Sequence, residues 1–147
     1  TVWHRRVYPW FVPGEGDARQ RFSQIVVCIH EHQHVHQFKR DGILRYAARY
    51  GLNTRWRARY EAEAYCCNLE MASWAGMPIP DPVELAARLV DYGCAPSDLE
   101  FAADQYRQCL ARLDRKEGFA EATREGLEIL EKIRAETQKG ISSSLND

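Results

Sequence analysis

Ile25-Val26-Val27-Cys28-Ile29-His30-Glu31-His32-Gln33-His34 is the stretch on which the fold turns. Its β-branched first half would suit a buried strand, and hydrophobic pattern alone does not separate so short an apolar run from a buried helical segment. The histidines decide for helix. His30 and His34 stand four residues apart, which on a helix places both rings on one face, and Glu31 completes the pattern H-E-x-x-H. One helix is therefore predicted from about Ala18 to Asp41, with Phe22, Ile25, Val26 and Ile29 as its core face. Pro13-Gly14-Glu15-Gly16-Asp17 breaks the chain before it, Asp17 can cap it, and Gly42 closes it.

That spacing has a chemical meaning. Two neutral imidazoles side by side can hold one zinc ion, and a carboxylate directly after the first lies beside the metal without occupying a coordination position. There Glu31 can accept a proton from water that the metal acidifies and later pass it to a leaving amine. Two protein ligands are too few; a third is needed, with the fourth position left open. Tyr60-Glu61-Ala62-Glu63-Ala64-Tyr65 supplies two carboxylates on a second long helix, after a connection long enough to reverse the chain. Glu61 is the best candidate, and Glu63 competes with it. Residues two apart on a helix point to different faces, so only one of them can reach the site.

H-E-x-x-H followed on another helix by E-x-x-A resembles the glutamate-liganded zincin metallopeptidases, the gluzincins. The resemblance covers about Phe22 to Met71. It implies that Glu61 is the third ligand, that Ala64 is the small residue kept for close helix packing, and that the reaction is hydrolysis of a peptide bond. Val35-His36-Gln37 is also similar to the H-E-x-x-H-V-x-Q variants of small bacterial predicted peptidases. This chain departs from the family at Tyr65, where many members carry an aspartate that accepts a hydrogen bond from a ligand histidine; a phenol oxygen accepts more weakly.

Outward from these motifs, Val2 to Val12 is aromatic and β-branched, and Pro9 makes it an edge strand or two short extended pieces. Zincins lay substrate along such a strand, so Val2 to Val12 is the candidate for it. Beyond the first helix, Ile43 to Tyr50 forms a short helix ending at Gly51. Asn53 or Thr54 caps one running to about Trp74, with Trp56, Tyr60, Ala64, Cys67 and Met71 at helical spacing. Asp81-Pro82 opens a helix to Asp91, Ser97-Asp98-Leu99-Glu100 is a capping box for the next, to about Asp114, and a charged helix spans roughly Phe119 to Lys139. The predicted fold class is α+β, mainly α: one zincin-like domain over 1–139 with a small sheet at its N-terminal end, and a flexible tail over 140–147.

Composition narrows the function. At 147 residues the chain buries one core but hardly two, and a net charge of -1 offers no field to gather nucleic acid or anionic lipid. The longest apolar run is too short to cross a bilayer, so a soluble protein is expected, with no nucleic-acid or membrane partner. Five cysteines, an odd number without C-x-x-C spacing, fit free thiols in a reducing, cytoplasmic setting. The expected function is a zinc metallopeptidase acting on a peptide or protein substrate, with His30, His34 and Glu61 as ligands and Glu31 as general base. A helical binding module with a structural or vestigial zinc site is the rival, and a zinc hydrolase acting on another bond is a third possibility. His32 and His36 form a second i, i+4 pair on a different face; with no base beside them they read as solvated or core-satisfied histidines rather than a further metal or carboxylate site. Arg55, Arg57 and Arg59 read as a solvated face rather than an oxyanion or carboxylate clamp. Tyr60 and Tyr65 flank Glu61 and are chemically suited to donate to an oxyanion.

Overall fold

The computed structural model describes residues 12–144. Among them the elements are α1 (Ala18–Asp41), α2 (Ile43–Leu52), α3 (Thr54–Trp74), α4 (Pro82–Ala87), two short 3₁₀ turns (Arg88–Tyr92 and Pro96–Asp98), α5 (Leu99–Asp114) and α6 (Glu121–Ser144). None of these is a strand, which overturns the α+β expectation: the described architecture is all-helical. The segment predicted to be extended, Val2 to Val12, lies outside the described residues except for Val12. Within them there is no sheet edge against which a lone strand could satisfy its backbone, whereas each helix satisfies its own. The β-branched run of α1 is accommodated in a helix because its apolar positions follow the helical period: Ile29 is buried, and Phe22, Ile25 and Val26 are partly buried beside it.

Helix α3 is the centre of the molecule. One of its faces presents Ala58, Ala62 and Leu69 to α4 and α5, where Ala102 and Ala103 let the helices approach closely. Its other face presents Cys67 and Met71 to α1 and α6, against Ile29, Ala122 and Leu127. Of the stripe read from the sequence, Tyr60, Ala64, Cys67 and Met71 are fully buried and Trp56, at its N-terminal end, is half-buried.

Local chemistry sets the ends of the elements. Asp17 accepts from the backbone N–H of Gln20 at 2.8 Å, and the Gln20 side chain accepts from the Asp17 N–H at 2.8 Å, a reciprocal cap for α1. Asn53 caps α3 through Trp56 N–H. Glu70, deep in α3, accepts from Ala120 N–H with both carboxylate oxygens at 3.0 Å and so ties the start of α6 to the core.

Four boundaries differ from the sequence expectation. Helix α2 continues through Gly51 to Leu52, and the helix opened by Pro82 tightens to 3₁₀ geometry at Arg88. The predicted Ser97 capping box does not form, because Asp98 occupies the cap position without capping and turns its buried carboxylate towards Arg55, 3.5 Å away. The last helix runs past Gly140 to Ser144 rather than giving way to a tail there. No helix among the described residues is long and apolar enough to cross a membrane.

Gly126 lets α6 lie against α1. A Cβ at this position would stand 2.6 Å from Ile29 Cδ1 and 2.8 Å from Cγ1, inside van der Waals contact with a buried side chain. Gly126→Val is expected to destabilise the protein by about 1–3 kcal/mol through overpacking. Chemical denaturation of the variant and the parent measures this.

Candidate metal centre

The site is built on three helices. Helix α1 carries His30 and His34 on the face turned towards α3, and α3 returns Glu61 to meet them. His30 Nε2 lies 3.4 Å from Glu61 Oε2, and His34 Nε2 lies 3.7 Å from Glu61 Oε1. One potential ligand atom from each residue falls within 4.8 Å of the others. His30 is 4% exposed and Glu61 1%, so this is an enclosed cluster.

Glu63 goes elsewhere. Its carboxylate takes Arg40 Nη1 at 3.0 Å, Gln37 Nε2 at 3.1 Å and Arg59 Nε at 3.3 Å, on the flank of α3 away from the imidazole pair. Two residues of helical rotation separate the two glutamates, and packing turns Glu61 inward.

The Glu61 carboxylate is held asymmetrically. The Tyr50 hydroxyl, delivered by α2, donates to Oε1, while buried Oε2 has no hydrogen-bond partner. Burial pushes the Glu61 carboxyl up, but His30, His34 and the Tyr50 hydroxyl outweigh it, so its pKa lies below the ordinary value and it is a carboxylate at neutral pH. A buried carboxylate oxygen without a hydrogen-bond donor, here Oε2 facing His30 Nε2 while Oε1 faces His34 Nε2, is costly unless a cation completes it. The donor set, two imidazoles and one carboxylate, is that of a catalytic zinc site with an open position. The residues present therefore fit the ion.

Gln37 sets the form of His34. Its side-chain nitrogen faces two acceptors, Tyr60 O at 2.8 Å and Glu63 Oε2 at 3.1 Å, so its oxygen must face His34 Nδ1, 2.8 Å away. That oxygen can only accept. His34 Nδ1 therefore carries a proton, and Nε2 is the ring nitrogen left to offer a lone pair, on the Glu61 side, when the ring is neutral. Gln37 is fully buried and fills the outer role that Tyr65 left in doubt. Tyr65 instead packs edge-on against the His30 ring, centroids 5.0 Å apart, with its hydroxyl towards Tyr92. Gln37→Ala is expected to lower zinc affinity about ten- to a hundredfold, the usual cost of losing such a partner; competition with a chromogenic chelator reads it directly.

The tyrosines at the site come from α2. Tyr46 places its hydroxyl 3.3 Å from His34 Nδ1, and Tyr46 and Tyr50 stack with centroids 5.7 Å apart. Burial and the Glu61 charge raise both phenols far above their ordinary pKa, so both remain O–H groups at neutral pH. Tyr60 is turned away and donates to Asp41. Neither Tyr46 nor Tyr50 was marked by a sequence pattern, although their i, i+4 spacing is the signal that could have found them.

Glu31 is half-buried on α1, and its charge reaches the Tyr46 phenol together with that of Glu61. The arginines have structural duties. Arg57 donates to Tyr50 O at 2.8 Å, Gly51 O at 3.0 Å and Gly93 O at 2.8 Å, fastening the end of α2 over the site. Gly93, at φ 76°, has no room for a side chain because a Cβ would stand 2.8 Å from the Arg57 guanidinium. Arg55 lies over Phe101 and Arg59 over Trp56. A groove of about 580 Å³ between α1, α3 and α5 contains none of the three clustered residues. The exposed edge of the cluster is His34, whose side chain is 16% accessible.

No family model, no curated protein and no solved structure matches this chain.

Proposed function

We propose that this protein is a zinc-dependent metallopeptidase. The observation that carries the proposal is the convergence of His30, His34 and the buried Glu61 carboxylate, one of whose oxygens has no hydrogen-bond partner, with Glu31 next to the first ligand histidine. His30 Nε2, His34 Nε2 and Glu61 would hold the ion. Zinc bound there supplies Lewis acidity towards a carbonyl and lowers the pKa of water towards neutrality.

The remaining work belongs to the chain. Glu31 takes the proton of the attacking water and returns it to the leaving amine. Gln37 keeps His34 in the tautomer that offers Nε2, and Tyr50 keeps Glu61 from rotating away. Tyr46, whose oxygen lies 3.3 Å from a His34 Nδ1 that already donates to Gln37, has its own O–H to donate at the edge of the site, a suitable partner for a developing oxyanion. The substrate class is a peptide or protein. The five free cysteines, four of them buried, favour a reducing, cytoplasmic setting.

A second reading, a non-catalytic helical module with structural zinc, draws on the enclosure of His30 and Glu61 and on the lack of a substrate-aligning strand among the described residues. One experiment separates the two. Zinc-loaded protein is incubated with a fluorogenic peptide library, then with 1,10-phenanthroline, then with zinc restored. Cleavage that is lost and regained supports the peptidase, bound zinc without cleavage supports the structural module, and no zinc uptake at the cluster overturns both.

A further inference from the structure

The four histidines of α1 at positions 30, 32, 34 and 36 form two interleaved i, i+4 pairs. Residues two apart are turned about 200° around a helix, so the second pair faces away from the first. The second pair meets α6. Glu125 Oε2 stands 2.5 Å from His32 Nε2 and 3.1 Å from His36 Nε2, so one carboxylate oxygen is shared between two imidazole nitrogens. The His32 and His36 rings are edge-to-face with centroids 4.8 Å apart. Glu121, one turn before Glu125, lies 3.6 Å from His36 Nδ1, the opposite side of that ring.

We infer that His32, His36 and Glu125 form a second zinc site, joining α1 to α6 on the face of α1 opposite the first cluster. The ligand set is the same, two imidazoles one helical turn apart and a glutamate from a neighbouring helix, and one ligand atom from each residue again falls within 4.8 Å of the others. Tetrahedral ligands at about 2.0–2.1 Å from zinc lie about 3.3 Å from one another. The 3.1 Å separation already fits that spacing. The 2.5 Å separation opens by rotation of His32 and Glu125, whose side chains are 40% and 43% exposed. Glu121 then takes the outer role of holding His36 Nδ1–H, as carboxylates do for zinc-bound imidazoles. Water fills the fourth position, and no general base follows His32, where Gln33 stands. The site is therefore a clasp between helices 89 residues apart at His36 and Glu125, not a second reaction centre.

His32, His36 and Glu125 share no ligand with the first cluster, so they bind zinc whether or not it does. Chelator-treated full chain is equilibrated with excess zinc chloride, freed of loosely held ion by gel filtration, and assayed for bound zinc. The double variant His32→Gln, Glu125→Gln is treated in parallel, with circular dichroism to confirm equal helix content. The variant is expected to hold one equivalent less than the parent, whether the parent holds two or one. Zinc is also expected to raise the melting temperature of a His30→Gln, His34→Gln protein; should that protein not fold, the Glu125→Gln single variant of the intact chain should lose part of the zinc-dependent rise. Equal zinc content in the parent and the His32→Gln, Glu125→Gln variant would overturn the second site.

Discussion

Glu31→Gln is expected to reduce peptide hydrolysis by about 10²–10⁴-fold, the contribution typical of a positioned proton-transfer group, while zinc content stays at the parental level. The two halves of that result belong together. Glu31 occupies no ligand position: the three groups that converge are His30, His34 and Glu61, and no hydrogen bond ties the Glu31 carboxylate into the cage. Glutamine keeps the size and loses the ability to take a proton, so the effect falls on turnover rather than on metal or fold. Stopped-time assays beside metal analysis of the same sample measure both quantities. Full activity in Glu31→Gln protein would refute the role given to Glu31, and loss of zinc together with activity would show that the residue serves the cage instead.

Glu61→Gln is expected to have a still larger effect on metal binding. The outer partner Gln37 accounts for about one to two powers of ten in affinity, and removal of the anionic ligand itself should exceed that range. The substitution is nearly isosteric, and the Tyr50 hydroxyl still finds an oxygen to donate to, so the helices should remain packed. What disappears is the negative charge that faces two imidazoles from a position 1% exposed. Thermal melting gives the readout. Saturating zinc at about a thousand times its dissociation constant stabilises a folded protein by about 4 kcal/mol, and the part of that stabilisation owed to the buried cluster should be missing in the variant. An equal zinc-dependent rise in parent and variant, carried out in the His32→Gln, Glu125→Gln background to silence the outer site, would remove Glu61 from the ligand set.

The parts of this molecule that were legible in its sequence are those set by contacts within one helix. His30 and His34 share a face because of helical geometry alone, and the core stripe Tyr60, Ala64, Cys67 and Met71 follows from the same period. The choice between Glu61 and Glu63 rested on register, and the structure turns Glu61 to the imidazoles and Glu63 to Arg40 and Arg59. What could not be read were pairings between helices. Tyr46 and Tyr50 reach the site because Arg57 fastens the end of α2 to α3 and to the Gly93 turn, and because their rings pack on Tyr60 of α3. Glu125 is 93 residues from His32, and nothing local to either announces the other. The Ser97 capping box failed for a related reason, since Arg55 on a distant helix engages Asp98. The expected sheet rested on Val2 to Val12 and on family resemblance, and the described residues close their core with helices instead.

Helix α2 contributes no buried side chain to the core, and Ile43, Leu44 and Leu52 on its outer side are 61%, 82% and 88% exposed. Yet it is this helix that brings Tyr46 and Tyr50 down onto His34 and Glu61. The apolar interior is thus assembled almost entirely by the other helices, while the cover over the buried carboxylate is held by the Arg57 hydrogen bonds and by Tyr46 and Tyr50 packing on Tyr60. Lifting that cover breaks hydrogen bonds that water can replace and uncovers the Tyr46 and Tyr50 rings, but it leaves both buried core clusters intact, so its free-energy cost lies below that of melting the molecule. An enclosed cage and an accessible one can then be two states of the same folded protein.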